Sequence, residues 1–469
     1  MKRREFLRTA SMAAGAVALS GCQSQGAILG GISQTNMAKF TAKPLNKIRV
    51  GIVGLGNRGT GAVSRLSKIR DVEIVALCDL NQSFVERAQK VLTKSKRPKA
   101  QYEFSGSPEA WRKMCDLDIE LIYNCTSWDY HTPISVEAMK KGKHAAVEVP
   151  AGKTLDELWE LVETSEKYQR HCMMLENTCY DFFELLTLRM AREGAFGEIT
   201  HAEGAYIHQL CRMIQGDSYQ NKWRFKENMA QNGNLYPTHG LGPVAQCMNI
   251  NRENLFDYMT SMSTNEFAFR DYAKQNNHAQ YQDVVGYRGD MNTSLLHTVK
   301  GQTVMIQHDV STPRPYSRIH LLQGTRGCAQ KYPGPAKIAL DSYKHGHQWL
   351  PSKKFREVCK KYEHPLIKTM GKVARKVGGH GGMDFIMDYR LIYCLKHGLP
   401  LDQNVYDAAT WSAVMPLSAM SIKKRSNSIE FPDFTRGMWK NTKPWPIVDV
   451  EPAKLPLFDI KRAENQLHV

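Results

Sequence analysis

The sequence predicts an α/β protein whose N-terminal part is a doubly wound parallel sheet. Apolar runs typical of buried strands alternate with amphipathic helical patterns from Asn46 to about Gln169. The glycine-rich turn Gly54-Leu55-Gly56-Asn57-Arg58-Gly59 follows the first apolar run and precedes a helical pattern. After Asn177 the alternation is incomplete, which predicts a C-terminal α+β domain with an open, mainly antiparallel or mixed sheet.

The predicted elements follow from these patterns in chain order. Apolar runs that end at polar residues predict strands over residues 48–53, 72–78, 121–126, 144–149 and 171–175. The segments between them predict helices over residues 59–67, 81–92, 129–141 and 155–168. Further on, strands are expected over residues 199–208, 293–299, 303–308 and 318–323, and helices over residues 182–192, 385–396 and 405–421. The domains predicted from these elements are residues 46–177 and 178–469.

Composition narrows the class of protein. The 469 residues, 42% hydrophobic and 23% charged, are typical of a globular protein of two or three domains. The formal net charge is +17, but no basic helix or aromatic-basic stripe predicts nucleic-acid binding. The eleven cysteines include no CxxC pair, so neither a zinc site nor a redox motif is expected, and no metal is predicted.

The first 45 residues predict an export signal and a tether. Arg3 and Arg4, followed by Phe6-Leu7 and a short apolar stretch, resemble a twin-arginine signal. The sequence Leu19-Ser20-Gly21-Cys22 resembles a bacterial lipobox, in which the cysteine becomes the lipidated N-terminus. Residues 23–44 are expected to be a tether. The predicted location is therefore outside the bacterial cytoplasm, as a periplasmic protein or a membrane-anchored lipoprotein.

The glycine-rich turn predicts a Rossmann dinucleotide site. Gly54, Gly56 and Gly59 allow a tight turn and let a pyrophosphate approach the N-terminus of the next helix. Asp79 closes the second predicted strand, where a carboxylate accepts the ribose hydroxyls of NAD and repels the 2′-phosphate of NADP. NAD is thus the expected cofactor. An exported enzyme has no pool of free NAD to draw on, which argues against ordinary net dehydrogenation.

Two further strand ends carry polar and aromatic residues where the nicotinamide half would lie. They are the segment from Asn124 to His131 and Glu148-Val149-Pro150. Here the sequence resembles relatives of glucose-fructose oxidoreductase and inositol dehydrogenase. Those enzymes usually carry Glu-Lys-Pro at the second position, where the lysine acts on the substrate hydroxyl. The chain has Val149 instead, and Leu235 replaces the aspartate that many of them place one helical turn before the active-site histidine, here His239.

These departures point to a narrower resemblance. Trp128-Asp-Tyr-His131, Glu148-Val-Pro150, Asn232-Gly-Asn-Leu-Tyr-Pro-Thr-His239 and Gly379-His380-Gly381-Gly382-Met383-Asp384 are similar to motifs of glycoside hydrolase family 109. The resemblance covers the chain from Asn46 onward and implies an NAD-dependent α-N-acetylgalactosaminidase. The cofactor contacts that it implies fall on Asn57, Arg58, Asp79, Trp128, Asp129, Tyr130, His131, Glu148, Val149, Asn177, Tyr236, Pro237, Thr238 and His239. The sugar contacts that it implies fall on Tyr206, Arg224, Tyr236 and Tyr316.

The expected reaction is hydrolysis of a terminal α-N-acetylgalactosamine with no net redox change. Ordinary glycosidases use two flanking carboxylates, but NAD-dependent ones are an exception. Oxidation at C3 acidifies the C2 proton, the C1 substituent leaves by elimination, water adds, and C3 is reduced again. The hypothesis assigns His239 as acid-base at C3 or at the leaving group, and Tyr236 as the phenol or phenolate near C2.

Two other functions stay open at this stage. A sugar oxidoreductase of the wider family is one, although Val149 speaks against it. A non-catalytic carbohydrate-binding lipoprotein is the other, although the complete cofactor motif speaks against that. The sequence leaves the role of His380 undecided, and the open second sheet could pair across a homodimer.

Overall fold

The computed structural model of the protein describes residues 36–450. Its first sheet has six parallel strands in the order β3-β2-β1-β4-β5-β6, so the predicted doubly wound parallel sheet is confirmed. The strands of this sheet are β1 (Ile48–Val53), β2 (Val72–Cys78), β3 (Tyr102–Phe104), β4 (Leu121–Asn124), β5 (His144–Val147) and β6 (Cys172–Met174).

The strand order reverses beside β1, and this places the ligand crevice. β1 pairs with β2 on one side and with β4 on the other, so its carboxyl end opens at the switch point of the sheet. Ile48, Val50 and Ile52 are fully buried, as expected for a central strand covered on both faces. The glycine-rich turn therefore begins at the edge of the sheet where dinucleotides bind.

Five helices connect these strands. The predicted helix over residues 129–141 begins two residues later than expected, because residues 128–130 form a 3₁₀ turn. The last of the five begins with a capping box in which the Thr154 and Glu157 side chains each bond to the other's backbone N–H. The helices are α1 (Asn57–Leu66), α2 (Gln82–Lys94), α3 (Trp111–Cys115), α4 (His131–Lys140) and α5 (Leu155–Tyr168).

The second sheet is mixed, as the sequence predicts. Its eight strands lie in the order β13-β12-β11-β7-β10-β9-β8-β14, and only the pairing of β7 with β10 is parallel. The predicted strand over residues 318–323 is wrong at its start, because Ile319 and His320 have left-handed backbone angles. The strands are β7 (Ile199–Ile207), β8 (Phe256–Ser263), β9 (Met291–Thr298), β10 (Thr303–Asp309), β11 (Leu321–Gly324), β12 (Gly327–Gln330), β13 (Lys337–Leu340) and β14 (Ile429–Glu430).

Buried helices join the two sheets. The longest of them, α14, packs against β8 of the second sheet and against α5 and β6 of the first. The helix before it, α13, is buried from Met383 to Leu395 and also contacts α1 and β1. The helices of this half are α6 (Phe182–Arg192), α7 (Cys211–Gln215), α8 (Trp223–Ala230), α9 (Thr238–Cys247), α10 (Ala268–Gln275), α11 (Ser352–Lys361), α12 (Pro365–Val377), α13 (Met383–His397) and α14 (Val405–Lys423).

The predicted tether ends earlier than residue 44. Met37 is buried and its backbone N–H donates to the Tyr406 hydroxyl at 3.3 Å. The Phe40 ring packs 4.8 Å from the ring of His171, so this segment belongs to the folded body. The predicted twin-arginine signal at Arg3-Arg4 and the predicted lipobox ending at Cys22 lie outside the described residues.

The described part of the chain contains neither a candidate membrane-spanning helix nor a candidate metal-binding cluster. No helix within residues 36–450 is long and apolar enough to cross a membrane. No group of three or more His, Cys, Asp or Glu side chains in the same residues could hold a metal ion.

Candidate active site

Two of the three glycines in the turn after β1 leave no room for a side chain. Gly54 has a φ of +82°, which favours glycine, and a Cβ on it would lie 2.6 Å from the Cys125 carbonyl carbon. A Cβ on Gly59 would lie 1.9 Å from the Gly54 carbonyl oxygen. Gly56 caps α1 without any side-chain hydrogen bond, so the first backbone N–H groups of the helix stay free for an anion. This cradle fits the pyrophosphate of a dinucleotide.

Asp79 is fixed against the same turn. One carboxylate oxygen accepts from the Leu55 backbone N–H at 2.6 Å, and the other accepts from the Asn81 N–H at 2.8 Å. The residue follows β2 at its carboxyl end and is 8% exposed. Its position next to the glycine turn suits the ribose of NAD, so the residues present fit this cofactor.

Arg58, one of the cofactor contacts that the resemblance implies, pairs with two carboxylates of the protein. Its guanidinium donates to Glu148 at 2.7 and 2.8 Å and to Asp384 at 3.0 Å. Burial acts to lower the pKa of Arg58, but Glu148 and Asp384 outweigh it and raise the pKa well above its usual value. Asn177 also donates to Asp384. Four residues thus form one network between the loops of the first sheet and the start of α13.

His131 and Trp128 hold the loop after β4 in place through contacts with neighbouring segments. The two ring nitrogens of His131 lie 2.6 Å from the Pro150 carbonyl oxygen and 3.0 Å from the Thr126 carbonyl oxygen. This histidine therefore ties the loop after β4 to the loop after β5. Trp128 is buried, and its ring lies 5.3 Å from that of Trp223 and 6.1 Å from that of Tyr236. It links the cofactor half to the aromatic residues described below.

His239 is held by a buried carboxylate that the sequence reasoning missed. Its Nδ1 lies 2.8 and 3.0 Å from the two carboxylate oxygens of Glu176, which is fully buried. Burial acts to raise the pKa of Glu176, but His239 and the bond from Thr178 outweigh it and lower the pKa. Glu176 directly follows the predicted strand over residues 171–175, the last one of the first sheet. Polar residues at strand ends were the signal that could have revealed it.

Tyr206 and Tyr236 lie against His239. The Tyr236 ring centroid lies 4.8 Å from that of His239 and 4.4 Å from that of Tyr206. Tyr206 lies 5.4 Å from His239. Burial raises the pKa of both phenols above its usual value, so both carry their proton at neutral pH. The three side chains therefore pack against one another as a single cluster.

Arg224 is a buried cation surrounded by aromatic rings. Its guanidinium carbon lies 4.8 Å from the Tyr236 ring centroid and 5.1 Å from that of Trp128, and the residue is 7% exposed. Its Nε has no hydrogen-bond partner in the described part of the chain. Burial acts to lower its pKa, and nearby tyrosines outweigh this effect. A buried guanidinium without an acceptor is suited to a polar ligand atom.

His208 and Tyr316 continue the aromatic cluster outward. The His208 Nδ1 lies 3.0 Å from the Tyr206 hydroxyl, and its ring lies 5.2 Å from that of Tyr316, which is 41% exposed. Burial lowers the pKa of His208, so the neutral ring can accept the Tyr206 proton. The sequence reasoning missed His208, which lies two residues after Tyr206 and so points to the same face of the strand.

His380 lies at the exposed rim of the cofactor network. The loop before α13 places Gly379, Gly381 and Gly382 at positive φ, and the His380 side chain is 58% exposed. Its Nδ1 lies 2.9 Å from an Asp384 oxygen and 3.3 Å from the Arg58 guanidinium. The structure thus places this histidine beside Arg58 and Asp384, on the side that faces solvent.

Comparisons with known proteins agree with this geometry. Residues 48–176 match the oxidoreductase family with an NAD-binding Rossmann fold. A levoglucosan dehydrogenase in complex with NADH and L-sorbose covers 83% of this chain and all of its own, with a TM-score of 0.62 at 14% identity. A scyllo-inositol dehydrogenase from Lactobacillus casei covers 82% and 98%, with a TM-score of 0.57 at 13% identity. Fold and site thus define an NAD-binding enzyme of the oxidoreductase fold.

The second half of the chain identifies the family. Residues 180–441 match the C-terminal domain of glycosyl hydrolase 109. A glycosyl hydrolase family 109 protein of Shewanella amazonensis is 45% identical over 95% of this chain and 99% of its own length. An α-N-acetylgalactosaminidase of Bacteroides fragilis is 46% identical over 87% of this chain and 96% of its own. The chain belongs to glycosyl hydrolase family 109, and it is an NAD-dependent glycoside hydrolase.

Proposed function

We propose that the protein hydrolyses terminal α-linked N-acetylgalactosamine from glycans, with NAD retained and restored in each turnover. The observation that carries the proposal is the His239–Glu176 pair beside Tyr236, at the mouth of a dinucleotide cradle. The Bacteroides fragilis relative, named an α-N-acetylgalactosaminidase, supports the choice of sugar.

The cofactor is held by the turn from Gly54 to Gly59, by Asp79 and by the loops around Trp128 and Val149. The chemistry that NAD supplies when bound is hydride acceptance and return at C3 of the sugar, which leaves the C2 proton acidic in between. The protein has to position the sugar and move protons at defined atoms. Such a route needs no pair of carboxylates on either side of the scissile bond.

His239 transfers protons at C3 or at the leaving group in this proposal. The ionised Glu176 accepts the Nδ1 proton of His239, which leaves Nε2 free to accept a proton from the substrate. The same carboxylate stabilises the imidazolium that forms. This division of roles resembles the buried acid that orients a catalytic histidine in other enzymes.

Tyr236 works near C2, and Arg224 supports it. Burial and the neighbouring Tyr206 raise the pKa of the Tyr236 phenol, while Arg224 acts to lower it. A guanidinium 4.8 Å from the ring stabilises the phenolate, which forms by loss of the phenol proton to solvent and then accepts the C2 proton of the sugar. The unpartnered Arg224 Nε is also available to a sugar oxygen.

The competing function is a sugar oxidoreductase. Such enzymes need a group at the position of Val149 that acts on the substrate hydroxyl, and Val149 is apolar and 2% exposed. An alkyl side chain transfers no proton, so acid-base work falls to His239 and Tyr236. This observation favours the hydrolase over net oxidation.

The test is incubation of the purified protein with p-nitrophenyl α-N-acetylgalactosaminide without added NAD. Release of nitrophenol and incorporation of solvent deuterium at C2 of the product are expected. Accumulation of NADH on free sugars without nitrophenol release would overturn the proposal in favour of the oxidoreductase. A His239→Ala protein that keeps its bound NAD and turns over normally would remove His239 from the mechanism.

We also propose export by the Arg3-Arg4 signal and lipid anchoring at Cys22. Fractionation of a bacterium that expresses the chain would place the protein in a membrane fraction facing away from the cytoplasm. Cys22→Ser should release it as a soluble periplasmic protein, whereas Arg3→Lys with Arg4→Lys should leave it in the cytoplasm. An unchanged distribution of either variant would contradict the corresponding half of the proposal.

A homodimer through the second sheet is proposed on its exposed apolar residues. Met262 on β8 is 66% exposed, and Leu295 on the adjacent β9 is 48% exposed. Leu295 is paired with Met305 of β10, so these side chains line one face of the sheet. Light scattering of the purified protein should give twice the monomer mass, and Leu295→Glu should halve it. A monomeric wild-type protein would refute the interface.

A further inference from the structure

A row of aromatic rings leads from the proposed catalytic residues to the protein surface. The ring centroids of Tyr236 and Tyr206 lie 4.4 Å apart, and those of Tyr206 and His208 lie 5.6 Å apart. The row continues from His208 to Tyr316 at 5.2 Å and from Tyr316 to Tyr332 at 5.9 Å. The exposed fraction is 8% for Tyr206 and 41% for Tyr316. The inner end is therefore buried beside His239, Tyr316 is accessible to a ligand, and Tyr332 beyond it is partly buried.

The outer end rests on a buried cluster of ions. Arg318 and Lys331 each lie 5.6 Å from the Tyr332 ring centroid. Arg318 pairs with Glu184 at 2.7 Å, and Lys331 pairs with Asp181 at 2.7 Å. Because two cations face two carboxylates, the cluster fixes the position of Tyr332 without adding net charge at the surface.

Glu184, the fully buried carboxylate of this cluster, is ionised at neutral pH. Glu184 is fully surrounded by protein, and its burial acts to raise its pKa. Arg318 and Lys331 outweigh that effect and lower the pKa of Glu184 to about 2. Glu184 therefore keeps its charge, and with it the contacts to Arg318 and Lys331, at neutral pH.

The chemistry of this outer pair suits a carbohydrate ring. Tyrosine rings combine a broad apolar face with a polar edge, and sugars present C–H groups on one face and hydroxyls around the rim. A terminal sugar that reaches His239 and Tyr236 fills the inner part of the row. The residue to which it is linked must then lie further out, where Tyr316 and Tyr332 stand.

We propose that Tyr316 and Tyr332 bind the second sugar of the glycan, the pyranose to which the terminal residue is attached. The proposal rests on the proposed function, because it takes the terminal residue to be held beside His239. Tyr316 would contact both sugars, whereas Tyr332 would contact only the second. Removal of the Tyr332 ring should therefore weaken binding of the second sugar and leave binding of the terminal sugar unchanged.

The test compares two ligands that differ only in the second ring. Titration calorimetry measures the Kd of methyl α-N-acetylgalactosaminide and of α-N-acetylgalactosaminyl-1,3-galactose on the NAD-containing protein in a His239→Ala background, so that neither ligand is cleaved; wild type here means this background with Tyr332 unchanged. The wild type should bind the disaccharide more tightly. Tyr332→Ala should weaken disaccharide binding by about tenfold, equivalent to ~1.4 kcal/mol, and leave the methyl glycoside unchanged.

Further variants protect this comparison from effects on folding. Tyr332→Phe keeps the ring and should bind like wild type, whereas Tyr332→Leu keeps apolar volume without the ring and should bind like Tyr332→Ala. Tyr258→Ala removes a tyrosine that is 40% exposed on β8, outside the row, and should change neither Kd.

The two proposals fail in different ways. Equal wild-type affinity for the two ligands, or an equal loss of both in Tyr332→Ala, would overturn the second-sugar position alone. A wild-type protein that binds neither ligand would overturn the proposed function, and the second-sugar position with it.

Discussion

At the scale of single residues, the contact between Glu176 and His239 decides what the site can do. A histidine whose Nδ1 is held by a buried carboxylate presents Nε2 in one orientation and in one tautomer. Without that carboxylate the ring has no fixed partner among the described residues on its Nδ1 side. Glu176 is therefore a positioning residue that acts through His239.

Glu176→Gln should lower kcat by about a hundredfold, because an amide neither fixes the tautomer nor stabilises the imidazolium. The measurement is nitrophenol release under saturating substrate, together with the NAD content of the purified variant, which should be unchanged. Glu109→Gln, at an exposed carboxylate far along the chain, is the matched control and should keep full activity. Normal kcat in Glu176→Gln would contradict the positioning role.

Sequence reasoning located His239 but not Glu176, and the reason is physical. His239 lies in a glycine- and proline-rich segment where a core histidine is hard to explain, so it stands out. Glu176 is separated from it by 63 positions, and only the folding of α9 against the end of β6 brings the two together. Arg58 is a second example, because its carboxylate partner Asp384 comes from the far end of the chain.

At the scale of elements, α8 carries Arg224 and is held to the cofactor half by charge. Lys153 follows the loop after β5, and its ammonium contacts Asp129 and lies 2.8 Å from Glu227 on α8. The Trp223–Trp128 contact adds an aromatic attachment one turn away. The position of Arg224 relative to the cofactor cleft thus depends on this attachment.

Lys153→Met should raise the KM for the sugar by about tenfold, equivalent to ~1.4 kcal/mol, with a smaller effect on kcat. The physical reason is that Glu227 loses its cation and α8 no longer holds Arg224 at one place. Steady-state kinetics check the result, and Lys153→Arg should restore most of the affinity. Lys141→Met, which breaks a surface pair with Asp116, is the control. Equal losses in KM and kcat would point to general damage instead.

The predictable elements are those with a strong apolar signal. Both β1 and β2 match their predicted bounds because their inward residues are β-branched or aliphatic. The short strand β3 escapes prediction because two of its three residues are exposed. The helix α8 escapes too, because its eight residues pack by aromatic and ionic contacts that arise only in the folded protein.

At the scale of the whole molecule, stability depends on histidines kept neutral by burial. Burial lowers the pKa of His171, His320 and His364 to about 4. In the unfolded chain these groups titrate near 6.5. Between these values the unfolded chain binds more protons, so the free energy of unfolding is full above pH 6.5 and falls as the pH drops toward 4.

Urea unfolding at pH 7.5 and at pH 5 should therefore show lower stability at the acidic pH, by up to about 2 kcal/mol for each histidine. His364→Asn is the informative variant, because His364 caps α12 by accepting from the Leu366 N–H and asparagine can do the same. The variant should lose part of the pH dependence while keeping its stability at pH 7.5. An unchanged pH dependence would contradict this assignment.

The overall architecture was the most predictable level. Two sheets, parallel first and mixed second, follow from the change in pattern near Asn177. How the halves meet could not be predicted, because the contacts join residues far apart in sequence. The Tyr123 hydroxyl donates to Asp388 at 2.6 Å, and Arg65 donates to the same carboxylate at 2.6 Å. Such buried pairs have no local periodicity.

If the chain is anchored at Cys22 as proposed, the packing of Met37 and Phe40 limits the length of chain between the lipid and the folded body. With the proposed anchor at Cys22, only residues 23–35 separate the lipid from the first packed residues, a span of at most about 45 Å when fully extended. The catalytic cleft would then act on glycans close to the membrane surface. Lengthening this segment with glycine and serine, rather than changing the active site, is the way to extend that working distance.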